Sequence, residues 1–204
     1  MTATLTFPTF FVFSYAYELP VGKGKYFGGS MSGVANGVLG GWQVSGITTA
    51  ESGAPLTVTA NATDVANINP SSETERANVT GQPVLPSGFK QTVETWYNPA
   101  AFTTPAPFTF GNVGRNTLRG PDSINFDFAL LKNFRITESK QLQFRSEFFN
   151  IWNRANFAPP GGGSSGGFST LGGEAQTAVN GTNFMHIFGA AAAREIQFSL
   201  KFVW

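Results

Sequence analysis

The last eleven residues alternate strictly, with Arg194, Ile196, Phe198, Leu200, Phe202 and Trp204 on one face and Glu195, Gln197, Ser199, Lys201 and Val203 on the other. A period of two predicts a β-strand with an apolar medium on one side and water on the other. At roughly 3.3 Å per residue, such a strand tilted by about 45° crosses an apolar layer about 25 Å thick. The same alternation returns in Ile124, Phe126, Phe128, Leu130, Lys132, Phe134 and Ile136, and again in Leu142, Phe144, Ser146, Phe148, Asn150 and Trp152. A short polar turn, Thr137 to Lys140, separates these two runs and predicts a hairpin. Nearer the start, Phe11, Phe13, Tyr15, Tyr17 and Leu19 share a face before Pro20 and Gly22 break the run. A fifth strand begins at Trp42, passes through Val44, Gly46, Thr48 and Ala50, and is expected to continue past a kink at Ser52, Gly53 and Pro55 to Val58.

Three connections of different character join the strands. Val21 to Gly41 is Gly-rich, with room for a short helix around Ser32 to Leu39. Ala60 to Pro121 is rich in Pro, Asn and Thr and is longer than soluble hairpin loops normally run. Asn153 to Ala193 carries a flexible Gly and Ser run from Gly161 to Gly167. Outer-membrane barrels alternate long extracellular loops with short periplasmic turns. With Trp204 at the periplasmic rim, Asn153 to Ala193 and Ala60 to Pro121 become extracellular and the Thr137 to Lys140 turn periplasmic. Val21 to Gly41 then falls on the periplasmic side, where it is longer than a minimal turn. The fold class expected is therefore all-β, an antiparallel meander of about five long strands forming part of a transmembrane β-barrel with long extracellular loops.

Composition sharpens this picture. Phe occurs 21 times and Gly 24 times in 204 residues, while charged residues make up 12%, about half the share of a soluble domain. Something other than a charged surface must solvate such a chain. The net charge of +1 comes from scattered Lys and Arg, so nucleic acid is excluded as a partner. Cys is absent, which removes disulfides, thiolate chemistry and Cys-based zinc sites. No apolar run is long enough for an α-helical membrane span. Met1 to Phe13 lacks the basic region and cleavage site of a signal peptide, and a natural start further upstream is expected.

The charges sit where a barrel wall tolerates them. Asp127, Arg135, Arg145, Glu147, Glu195 and Lys201 fall on the polar faces, and Lys132 and Arg194 on the apolar ones. A charge at the bilayer midplane costs about 2 to 4 kcal/mol, falling toward zero at the interfaces. Both exceptions are therefore expected to reach headgroups by snorkelling. Trp42 and Trp152, near strand ends, suit interface anchors, whereas Trp96 lies in a loop.

Candidate chemistry is sparse. His186 is the single histidine, and the sequence places no carboxylates beside it, so no catalytic or metal site and no cofactor is expected and the chain does not read as an enzyme. Gly22, Lys23, Gly24 and Lys25 lack the order of a phosphate loop. Asn61, Asn78 and Asn180 begin Asn-x-Thr triplets of no weight in a bacterial setting. Arg115 and Arg119, within NVGRNTLR, are candidates for contacting an anionic ligand at an extracellular mouth, against the plainer reading of a loop held by arginine hydrogen bonds.

Several segments also resemble a known family. YELPVGKGK (Tyr17 to Lys25), GGWQVSGITTAESG (Gly40 to Gly53), WYNPAAF (Trp96 to Phe102), FGNVGRNTLRGP (Phe110 to Pro121) and FRITESKQLQFRSEFFNIWNRAN (Phe134 to Asn156) look like the C-terminal barrel region of TonB-dependent receptors, most of all the Oar-like proteins of Acidobacteria that begin with a carboxypeptidase-regulatory-like domain. The resemblance implies a barrel of about 22 strands closed around a plug, importing a ligand with energy from the TonB system. It makes residues 1–204 the C-terminal part of that barrel domain, without plug, TonB box or most strands, and so not transport-competent alone. It further implies that Phe198, Leu200, Phe202 and Trp204 form the C-terminal signal read by the barrel-assembly machinery. Expected partners are outer-membrane lipid, that machinery, an unidentified imported ligand, and the TonB system through the missing part. Two other readings compete: a soluble or secreted β-sandwich for adhesion or carbohydrate binding, its aromatic faces packed together, and an oligomer whose copies jointly close a barrel.

Overall fold

The computed structural model describes residues 9–60, 66, 75–137, 139–161, 175–179 and 184–204. Residues 1–8, the Asn61 and Asn180 triplets, Glu138 of the polar turn and the Gly and Ser run from 162 to 167 lie outside the described residues. In chain order the elements are β1 (Phe10–Glu18), α1 (Gly33–Leu39), β2 (Trp42–Glu51), β3 (Pro55–Thr59), β4 (Asn78–Val79), β5 (Phe102–Thr103), β6 (Leu118–Arg119), β7 (Ser123–Arg135), β8 (Gln141–Phe149), β9 (Ala175–Ala178) and β10 (Glu195–Val203), with one 3-10 turn at Pro99–Ala101. Among the described residues no helix is long and apolar enough to cross a membrane, a statement that leaves strand crossings open. The chain divides into two compact units. A sheet unit takes in Phe11–Ala50, Ile124–Ala155 and Ala192–Trp204, and a second unit Met1–Phe10, Glu51–Ser123 and Asn156–Ala191.

The sheet unit carries the five long strands in the order β1-β2-β7-β8-β10, the meander predicted from the alternation. β7 pairs with β8 and β8 with β10, both antiparallel. The registers generate continuous rows across three strands. Phe128, Phe148 and Ile196 form one row, Lys132, Phe144 and Leu200 another, and Phe134, Leu142 and Phe202 a third, all on the apolar face. Period-2 side chains make this register self-enforcing, since a slip of one residue would turn the Phe side chains of these rows to the wrong side. Aromatic pairs tie the rows diagonally: Phe144 stacks on Phe198 at 6.3 Å and meets Trp42 edge-on at 6.4 Å. Gly46 provides a notch on this face, because a Cβ there would lie 2.6 Å from the Tyr15 hydroxyl.

The β7–β8 hairpin closes through Ile136 N and Thr137 N donating to Lys140 O, with the Thr137 hydroxyl accepting from Lys140 N. β8 stops at Phe149, short of the expected Trp152, because Asn150 and Asn153 take left-handed φ angles of 49° and 52°, which Asn tolerates. Asn150 is buried. Its Nδ2 donates to Arg154 O and Ala192 O, its Oδ1 accepts from Arg154 N, and its own N donates to Asp127 Oδ1. This side chain therefore fixes where the chain leaves the sheet.

The second unit overturns the expectation that β2 runs on to Val58. After Glu51 the chain leaves the long sheet, and β3 lies between β6, antiparallel, and β9, parallel. The reason is visible at Gly53, where a Cβ would stand 1.8 Å from the Gly120 carbonyl oxygen. Gly120 N in turn donates to Ala54 O at 2.9 Å. All five residues of β3 are buried. Around Leu56 and Val58 gather Ala77, Tyr97, Ala101, Phe102, Val113, Leu118, Val179 and Met185, with Val84, Trp96 and Phe184 against them. The stretch read as one long loop thus contributes most of a hydrophobic core. Asn78 and Asn112 reinforce it reciprocally, each side-chain oxygen accepting from the other segment's backbone at 3.0 and 2.8 Å.

Candidate functional site

The two faces of the long sheet are the best-defined chemical surfaces of the molecule. On the polar face the register aligns Asn133, Gln143 and Lys201, then Leu131, Arg145 and Ser199, then Ala129, Glu147 and Gln197. Gln143 Nε2 donates to Asn133 Oδ1 at 3.0 Å, and Arg145 forms an ion pair with Glu147 at 2.6 Å along its own strand. Asn125 Nδ2 donates to Asp127 Oδ1 at 2.8 Å. Ser14, Ser45, Asp127, Arg145 and Glu147 line a concavity of about 450 Å³ in this unit. Within it Arg145 and Glu147 are paired, Asp127 Oδ1 accepts from Asn125 Nδ2 and Asn150 N, and Arg145 stays about half exposed to water. Such a surface is suited to contact with water.

The opposite face exposes its hydrophobic groups. Phe198, Leu200 and Trp204 are 69%, 66% and 84% exposed. These three and Phe202, the residues expected to carry the assembly signal, stand together on one face at the end of the sheet, with Phe202 stacked on Trp204 at 6.0 Å. β10 neighbours β8, and β1 neighbours β2, so among the described residues each leaves one edge unpaired in this sheet. Ser146 is buried between Leu130 and Phe198 in its row.

Lys132 departs from expectation. It lies on the apolar face yet is 1% exposed, and it does not snorkel to a strand end. Its ammonium donates to Val38 O at 2.9 Å and Gly40 O at 2.5 Å, carbonyls at the C-terminal end of α1. It also sits 4.9 Å from the Trp42 ring and 5.0 Å from the Phe134 ring. A cation is favoured at a helix C-terminus, where carbonyls lack helical partners, and over an aromatic face. Sequence reasoning missed this because Gly40 is 92 residues away. Arg194, the other exception, stays exposed and donates from its backbone to Asn153 Oδ1.

The remaining candidates lie in the second unit. Arg119, in β6, donates from its guanidinium to Gly53 O at 3.1 Å, and its own carbonyl accepts from Trp96 Nε1 and Tyr97 OH. It holds the fold in the manner of the plainer reading. Arg115 is exposed on the turn before β6. His186 stacks on Phe188 at 5.7 Å. The structure does bring a carboxylate near it: Glu94 is held below the usual carboxylate range by its own backbone N–H and the Thr92 hydroxyl, with a smaller contribution from His186. Among the described residues no three potential metal-ligating side chains of His, Cys, Asp or Glu converge.

An exposed aromatic face backed by a polar, charge-paired one is the section of a wall between lipid and water. The family model of the outer membrane beta barrel domain matches residues 2–197. The chain belongs to the outer membrane beta barrel domain family. Membership places this barrel domain in the outer membrane and sets aside the soluble or secreted sandwich, which would moreover have to bury the aromatic face left exposed here. No curated protein and no solved structure matches the chain.

Proposed function

We propose that this outer-membrane barrel domain is a wall segment of a TonB-dependent receptor of the Oar-like type, serving import of a ligand. The observation that supports it most is the two-faced sheet that, among the described residues, has one unpaired edge on β1 and one on β10. Unpaired backbone groups in hydrocarbon cost several kcal/mol each, roughly, so further strands must meet both edges. The sequence segments that resemble TonB-dependent receptors name a source for those strands and for a plug.

In this reading the apolar face meets outer-membrane lipid, and the concavity holding Asp127, Arg145 and Glu147 faces the lumen. The pattern Phe198, Leu200, Phe202 and Trp204 presents β10 to the barrel-assembly machinery. Coupling to the TonB system runs through a plug outside these strands, and Arg115 contributes to ligand capture at the mouth. No catalytic role, cofactor or nucleic-acid partner is assigned. A second reading, several copies closing one barrel, draws on the same two edges.

The test is circular dichroism and solubility of the purified chain with and without detergent micelles. A β spectrum confined to micelles is expected, and a cooperative β fold in plain buffer sinks the proposal. Cross-linking of micelle-bound chain separates the two readings: a closed ring of copies would favour the oligomer.

A further inference from the structure

The β1–β2 connection is ordered and exposes the wrong residues for a turn in water. Its backbone is pinned by Leu19 N to Trp42 O, Phe27 N to Pro20 O and Gly22 N to Phe27 O. Asn36 Oδ1 accepts from Lys23 N at 2.6 Å. The seven residues of α1 include no charge, and the side chains it leaves in the open are Val34, 84% exposed, Val38 and Leu39. Tyr26 and Phe27 meet edge-on at 4.8 Å, the former 87% exposed. A short helix in water turns its polar side outward. This one does the reverse, with Val34 and Val38 one turn apart on the open side.

Lys132 shows on which side of the wall the helix lies. Its side chain leaves β7 on the face that carries Phe134 and the Lys132–Phe144–Leu200 row, and there it takes the carbonyls of Val38 and Gly40. Trp42 Nε1 donates to the same Val38 carbonyl at 3.0 Å. Two donors from the aromatic face thus hold the C-terminal end of α1 against that face. The connection leaves Val34, Val38 and Leu39 exposed while its helix end is bonded to the face that a barrel of this family turns to lipid. Lys23 and Lys25, the latter paired with Glu18 at 3.0 Å, stand in the same connection, and ammonium groups on long stems can reach headgroups.

We propose that the β1–β2 connection is a membrane-interface element, with Tyr26, Phe27, Val34, Val38 and Leu39 seated in the headgroup boundary of the phospholipid leaflet outside the wall and Lys132 as the latch that holds α1 there. Apolar side chains opposite a polar side suit this depth. The proposal rests on the apolar face of the sheet meeting lipid, and the experiment separates the two.

The chain has no Cys, so Val34→Cys, Val38→Cys and Leu200→Cys can each carry one environment-sensitive fluorophore. Each labelled chain is inserted into phosphatidylcholine vesicles bearing nitroxide either at the headgroup or at mid-chain. The expected result is quenching of the Val34 and Val38 probes by headgroup nitroxide and of the Leu200 probe by mid-chain nitroxide. Quenching at Leu200, with the Val34 and Val38 probes reached only by aqueous iodide, overturns the interface element and leaves the wall reading intact. No lipid quenching at Leu200 overturns the wall reading and the proposal with it. Lys132→Met should abolish quenching at Val38 while Leu200 remains quenched; retained quenching at Val38 overturns the latch.

Discussion

In β8 the residues alternate Gln143, Phe144, Arg145, Ser146, Glu147, whereas in β3 all five residues from Pro55 to Thr59 are buried together. The first strand separates two media, and every second side chain answers to a different solvent. The second is enclosed, so its Thr57 and Thr59 must find hydrogen-bond partners inside: the Thr57 hydroxyl exchanges bonds with Asn116 Oδ1 and N at 3.0 and 2.9 Å. Stability is accordingly organised differently. The sheet unit is made of repeated cross-strand rows in which single changes have local effects. The second unit has one core, in which a change at the centre is felt throughout.

The sharpest way to break this contrast is at the close approach of the second unit. Gly53→Ala would put a methyl into the Gly120 carbonyl and part the Gly120 N to Ala54 O bond. A loss of about 4 kcal/mol or more, the range of exceptional backbone effects, is expected. Hydrogen exchange in micelles should show protection falling from β3 and β6 while β7 and β8 keep theirs. Leu56→Ala at the centre of the same core should cost about 2 to 5 kcal/mol, read by the same exchange pattern. An equal loss in β8 would mean that the units do not unfold separately.

In the sheet, the largest effect belongs to the lipid-facing row. Leu200→Arg is expected to cost about 2 to 4 kcal/mol at mid-membrane depth, measured by urea unfolding from vesicles. Ser199→Arg, one residue along and on the polar face, should change little, and comparable losses for the two would show that the faces are wrongly assigned. The smallest effect is Arg145→Ala. Its pair with Glu147 is about half exposed on the arginine side and should contribute no more than roughly 0.5 kcal/mol after solvent screening. A conductance or ligand-binding change without a stability change would sharpen the lumen assignment.

How much was legible in the sequence follows from the same contrast. The five long strands and their faces could be read because alternation is local, and the helix within the β1–β2 connection fell where Ser32 to Leu39 allowed it. The grouping of Phe198, Leu200, Phe202 and Trp204 was equally readable, being set by strand period alone. The core around Leu56 and Met185 was not, since enclosed strands lose the alternating signal and short ones such as β4 to β6 scarcely exceed a bridge. The sequence pattern around Arg119 suits a ligand contact as well as a structural one, and its use on the Gly53 carbonyl depends on β3 folding back to it.

By itself, then, the sequence determined which side of each long strand is oily, how many such strands there are, and that so few charges require a medium other than water. Tertiary structure decided where β2 ends, what the long connections enclose, and how the Lys132 ammonium finds hydrogen-bond acceptors on an apolar face. The physical reason is range. Side-chain alternation is imposed by the backbone two residues at a time, whereas the Gly53–Gly120 approach and the Lys132–Gly40 bond join positions 67 and 92 residues apart and exist once the chain has brought them together.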